Sequence, residues 1–297
     1  MARPIDIIEA IYRNDRETLL RLADESPKAL RSFVVADALA DDGSPNPAAA
    51  EQASVGGQPA DRETWLALHF AAQWGRAEIA AELIDRYGVS VDSRTRYRLP
   101  TRARRTPLML AAARGHEDVV EVLLNRSAEV EVRDAASDSP LSLAAAGGHA
   151  DITRRLLDAG AEIDAPDGQG RTPLHRAILP ATPRTHHEAH DASTLTPLSP
   201  THTETAVTLI DAGADVNALC PRDAAGYTPL HRCLQHRPPA ISLIDKLLEQ
   251  GGDPTLADPR LGRSAIDLAA DLAQDASCPF PSAAREAFER LRKAADA

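Results

Sequence analysis

Aromatic side chains are nearly missing from this chain: Phe, Trp and Tyr together make up 3% of its 297 residues. Large rings normally supply much of a core's area, so the interior has to be filled differently, and abundant Ala and Leu point to closely packed helices. Cysteine is scarce too. Cys220, Cys233 and Cys278 contain no CxxC pair and are odd in number, a poor disulfide framework that suits a reducing compartment. No run approaches the ~20 apolar residues needed to span a bilayer. No long apolar stretch follows the opening Met-Ala-Arg-Pro-Ile-Asp, so no signal peptide is expected and the expected location is cytoplasmic or nuclear. Positive charge is not in excess: a net charge of −11 argues against membrane binding and against nucleic acid as a partner. GxSxG, GxGxxG and P-loop patterns are absent, so the chain is expected to be no enzyme and to need no cofactor.

What is present is a repeat. Thr106-Pro107, Ser139-Pro140, Thr172-Pro173 and Thr228-Pro229 are each followed by Leu, and the first two intervals are both 33 residues. The third interval, 56 residues, signals an insertion. Behind each dipeptide comes a short segment of small residues, such as Leu108 to Arg114 before Gly115-His116, and Leu141 to Ala146 before Gly147-Gly148-His149. A second apolar stretch follows at helical spacing: Val119, Val120, Leu123 and Leu124 in one unit, Ile152, Leu156 and Leu157 in the next. Ser or Thr is a good N-cap, Pro at the first helical position loses no needed donor, and Gly ends a helix through the left-handed backbone. The units read as helix-turn-helix pairs joined by short extended loops.

This pattern resembles the ankyrin repeat, whose period and Thr-Pro-Leu-His-x-Ala signature are met in full at Thr172 to Ala177. Thr228 to Arg232 follows it and then has Cys233; Met109 and Ser142 replace the His in the other two units. Degenerate copies lie at Trp65 to Ala72 and Arg263 to Ala270. The resemblance implies an all-α solenoid with short β-hairpin loops, about six to seven repeats including divergent caps. Residues 62–274 would be repeats, with insertions at 93–104 and 180–203. Residues 1–36, with Ile7, Ile8, Ile11, Leu19, Leu20 and Leu22, would be a helical cap or divergent repeat, and 275–297 a C-terminal helical cap. Residues 37–61 read as a linker or loop.

The resemblance further implies a protein-protein interaction scaffold or adaptor, monomeric by itself, that binds one or more proteins through a concave face of first helices and hairpin tips. The matching positions here are Phe70, Gln73, Trp74, Leu110, Arg114, Leu143, Arg176, Arg232, Gln235 and His236. Six arginines fall within residues 94–105, and Arg94, Arg96, Arg98 and Arg102 are expected to meet an acidic partner surface. His175 and His231 are expected to tie turns locally to their Thr. The alternative, of another class, is an enzyme or metal-dependent protein with its site in the His-rich insertion, where His186, His187, Glu188, His190 and His202 cluster. Imidazole and carboxylate are zinc ligands, but the run falls one residue short of HExxH, so no metal ligand is assigned. Leu209, eight residues before Asn217, also resembles the setting of hydroxylated ankyrin asparagines.

Overall fold

The computed structural model describes residues 4–30, 34–35, 64–95, 104–179, 198–220, 227–236, 238–259, 262–275 and 278–296. These residues are organised as two compact units, 1–140 and 141–297. In the first lie α1 (Pro4–Tyr12), α2 (Arg16–Glu25), α3 (Pro27–Leu30), β1 (Val34–Val35), β2 (Thr64–Trp65), α4 (Ala67–Gln73), α5 (Ala77–Asp85), α6 (Pro107–Arg114) and α7 (Glu117–Leu124). In the second lie α8 (Pro140–Gly147), α9 (Ala150–Asp158), α10 (Pro173–Ile178), α11 (Pro200–Asp211), α12 (Pro229–Gln235), α13 (Ile241–Glu249), α14 (Ala265–Gln274) and α15 (Pro281–Ala295). Apart from α3, the described helices fall into seven consecutive pairs.

Three of the first helices share one local start signal. The Thr106, Thr172 and Thr228 hydroxyls accept from the backbone N–H three residues on, and Pro follows each of them. Gly115 closes α6 at φ 79°, in the left-handed region. In the first unit α1 packs on α4 and α4 on α6, while α5 packs on α7. In the second, α10 packs on α12 and α12 on α14, while α9 packs on α11 and α11 on α13. First helices thus meet first helices and second meet second, the layering of stacked repeats. Such sandwiching covers a short helix on nearly every side. In α6, six consecutive residues from Pro107 to Ala112 are buried. Second helices bury one stripe each: Ile79, Ala80 and Leu83 in α5, and Val119, Val120 and Leu123 in α7.

The loops between pairs close on a recurring bond. Thr95 N–H donates to Arg105 O, Asp134 to Asp138, Asp167 to Arg171, Cys220 to Tyr227 and Asp258 to Arg263. The acceptor is always the residue before the next N-cap. Where Asp holds the donor position its carboxylate also gathers tip amides, as Asp134 does from Ala136 and Asp138. The loops are turns rather than ladders: besides β1–β2, only Ala257 and Ser264 form a bridge among the described residues. The loop bases are laced side chain to backbone. Asp92 accepts from Glu129 N, Asp164 from Asp215 N, and Asn217 from Asp253 N.

The long insertion is shorter than the sequence reading gave it. α11 begins at Pro200, capped by Ser199, so residues 200–203 belong to a helix and not to the 180–203 loop. Residues 180–197, with His186, His187, Glu188 and His190, lie outside the described residues, as do 36–63, which include the whole of the expected linker at 37–61.

Candidate functional site

The histidines sort first. His175 Nδ1 lies 2.9 Å from Thr172 Oγ1 and Nε2 lies 3.0 Å from Tyr227 O. A carbonyl only accepts, so Nε2 carries the proton and the Thr hydroxyl donates to Nδ1. His231 repeats this with Thr228 at 2.8 Å and Arg263 O at 3.0 Å. In the degenerate unit Leu66 has no hydroxyl, and its backbone N–H donates to His69 Nδ1 instead, with Nε2 on Ser93 O. Burial pushes the His69 and His175 pKa values down to about 4, and lowers that of His231. These rings are neutral cross-braces between one first helix and the following loop.

His202, grouped by sequence with possible metal ligands, is a brace as well. Ser199-Pro200-Thr201-His202 repeats the cap-and-His device on a second helix: Ser199 Oγ sits 2.7 Å from Nδ1, and Nε2 reaches Ala146 O at 3.3 Å. The ring lies over Gly148, where an added Cβ would come within 2.7 Å of it. His116 does the same in the first unit, bonding Gln73 O at 2.9 Å and covering Gly75. His202 therefore stands where His116 stands in an uninterrupted repeat. Among the described residues no three His, Cys, Asp or Glu side chains are grouped to hold a metal ion.

Several of the expected contact residues face inward. Phe70 is 0% exposed, Leu110 3%, Leu143 2% and His236 2%. Phe70 lies between Trp65 and Trp74, with centroids 5.2 and 5.3 Å away, and His236 Nε2 bonds Ile178 O. These four side chains pack within their units and offer no surface to a partner. Arg96, Arg98 and Arg102 lie outside the described residues. Arg94 is half-buried and donates to Arg133 O at 3.3 Å, so it ties two loops together.

What remains open at the first-helix ends differs between the units. In the first, Gln73 and Trp74 are half-buried and Arg114 is exposed. With the Gln73 amide oxygen turned toward Arg114, it accepts from Nη2 at 2.7 Å and Nε at 2.8 Å. Tyr12, at the end of α1, meets Trp74 edge-on with centroids 5.2 Å apart. In the second unit a tight cluster surrounds Asp167, which accepts from Arg171 Nε at 2.7 Å and lies 3.6 Å from Arg176 Nη1. Arg232, expected to be a contact residue, is instead buried at 8% exposure; it lies over the Tyr227 ring at 5.1 Å and donates to Gln235 Oε1 at 2.8 Å. Burial, and then the charge of Arg171, hold its pKa down at about 10, so it stays cationic near neutrality.

Sequence reasoning missed Tyr12, Arg171 and Tyr227, and counted Arg105 only within the basic stretch beside Thr106. Arg105, Arg171 and Tyr227 occupy one column, the residue before the N-cap, and aligning the four cap dipeptides would have exposed it. Asn217 uses its side chain in the loop ladder, donating to Gly251 O and accepting from Asp253 N. No helix among the described residues is long and apolar enough to cross a membrane.

Comparison with known proteins comes to two findings. A family model described as ankyrin repeats matches residues 38–134 and 108–182. No curated protein matches the chain.

Proposed function

Residues 38–182 of this chain are ankyrin repeats, and from that premise we propose that it is a protein-binding scaffold working through its first-helix ends and loop tips. Ankyrin repeats are in general protein-binding modules, and the observation that carries the reading is where polar side chains on the first helices are only partly buried. The buried histidines are used up in bracing. Gln73, Trp74 and Arg114 in one unit, and Arg176 and Gln235 in the other, stand at the ends of first helices and are not fully buried. Arg and Trp are the usual anchors of interfaces. The partner in this reading is a protein with an acidic surface, attracted by the arginines of residues 94–105 in an otherwise acidic chain. Residues 1–36 and 275–297 serve as caps that turn a polar side to water. All three cysteines are free thiols, which supports a reducing compartment, cytoplasm or nucleus.

The test is site-specific crosslinking of the full chain in native extract. A photo-crosslinker at Arg114 or Gln235 should capture the same proteins repeatedly. One at Asp118 or Asp151, exposed on second helices, should not. Equal capture from both sets of positions would sink this reading.

A further inference from the structure

The first unit carries one arrangement that the bracing of the fold does not explain. Arg114 ends α6, where the free carbonyls of a helix terminus favour a cation. As a residue Arg114 is exposed, but its guanidinium is partly covered, since burial is the first cause that lowers its pKa, and it is not loose. The Gln73 amide oxygen holds the Nε–Nη2 edge, at 2.8 and 2.7 Å. The end-on edge, Nη1 with the second Nη2 proton, is left pointing away from that contact, and this edge can grip both oxygens of a carboxylate. Among the described residues no carboxylate is paired with Arg114. Burial first, and then the charge of Arg105, lower its pKa, and Arg105 is itself committed to Asp134 at 3.2 Å.

An aromatic pair stands one residue along from the Gln73 that holds the fork. Trp74 directly follows Gln73 at the C-terminal end of α4, half-buried, with Tyr12 edge-on against it. The ends of three successive first helices, α1, α4 and α6, thus present Tyr12, Trp74, Gln73 and Arg114. Aromatic rings beside a charged fork suit an apolar side chain next to an acidic one. The Arg114 cation, within a chain of net −11, makes the occupant's sign specific to this place.

We propose that Arg114, held by Gln73 beside Trp74, is the receptor for a carboxylate side chain on an extended, acidic and partly apolar segment of a partner protein. This rests on the scaffold reading above and names the partner's chemistry at one point.

A random peptide library displayed on phage and selected against the full chain supplies the probe. The strongest peptide is then labelled with fluorescein and titrated by anisotropy. Selected sequences should carry Asp or Glu beside a Leu or an aromatic residue. Changing that acidic residue to its amide, or making Arg114→Gln in the protein, should weaken binding about tenfold or more, as loss of a charged hydrogen-bond pair does. Arg114→Lys should keep only part of the affinity, because it keeps the charge and loses the fork. Gln73→Glu should weaken binding as well, by placing an internal carboxylate on the guanidinium. Thermal melts of all variants should lie close to the parent's, since neither Gln73 nor Arg114 belongs to the fully buried core. A library that yields no binder, peptides without acidic bias, or equal affinity for Arg114→Gln would overturn the proposal. A requirement for phosphoserine in place of the carboxylate would overturn it too. Non-acidic peptides that still compete with partner crosslinking at Gln235 would leave the scaffold reading standing and remove only this one.

Discussion

Each buried imidazole of the His69, His175 and His231 set has a proton on one nitrogen only, because its two neighbours demand one donor and one acceptor. Protonating such a ring sets an N–H against the Thr172 hydroxyl or the Leu66 amide and places a charge in an apolar interior. The folded pKa values of His69 and His175, about 4, lie below the ordinary 6.5. The unfolded chain therefore binds more protons between those limits. Stability contributed by the neutral rings is fully present above about pH 6.5, falls as pH drops toward 4, and levels off below it. A few kcal/mol per ring is the scale. Urea denaturation at pH 7 and pH 4.5 should show the midpoint falling, and His175→Gln should reduce that fall. A pH-independent midpoint would mean the rings are not held neutral by the fold.

At the same scale the sequence was a fair guide to the caps and a poor guide to contact residues. Thr106, Thr172 and Thr228 announce themselves, since a hydroxyl followed by Pro has few other uses. Phe70, Leu110 and Leu143 did not reveal that they face inward. A first helix of about eight residues is covered by neighbours on both sides and by its own second helix, so periodicity no longer separates an inner face from an outer one. Trp74 and Arg114 escape because they stand where the helix ends.

At the scale of elements, the second helices carry the clearer pattern and the safer prediction. Leu156 on α9 is 0% exposed, and α9 packs on α11. Leu156→Ala should cost about 2–5 kcal/mol through lost burial and a residual cavity, read as a lower denaturant midpoint with an unchanged slope. A midpoint equal to the parent's would place this side chain at the surface. The start of α11 was illegible for a physical reason. Thr-Pro-x-His is expected at first helices, and Ser199 to His202 uses the same chemistry at a second one. A loop deletion should accordingly stop short of the cap. Removing residues 182–196 with a short Gly-Ser link should retain helix content by circular dichroism. Extending the cut through 202 should lose roughly 1 kcal/mol or more, since a cap and a cross-brace disappear. Equal stability of the two deletions would show that the Ser199 cap contributes nothing.

On the scale of the molecule, an acidic chain with few aromatics distributes its resources unevenly. Both tryptophans, a Phe and a Tyr gather in the first unit around α1 and α4. The second unit relies on Leu, Ala and an arginine cluster around Asp167. Repetition made the layering legible, because several imperfect copies in register constrain one another more than any single copy could. Non-repeating features escaped, since nothing elsewhere in the chain predicts them.

The autonomous start of α11 has a consequence for how the chain can be handled. A helix with its own cap, its own proline and its own brace takes no instruction from the peptide bond that leads into it. Replacing residues 182–196 is therefore expected to leave the placement of α11 unchanged. New termini can be opened there by circular permutation, or a guest domain spliced in, with Ser199 and His202 still guiding the second helix back to the seat beneath Gly148.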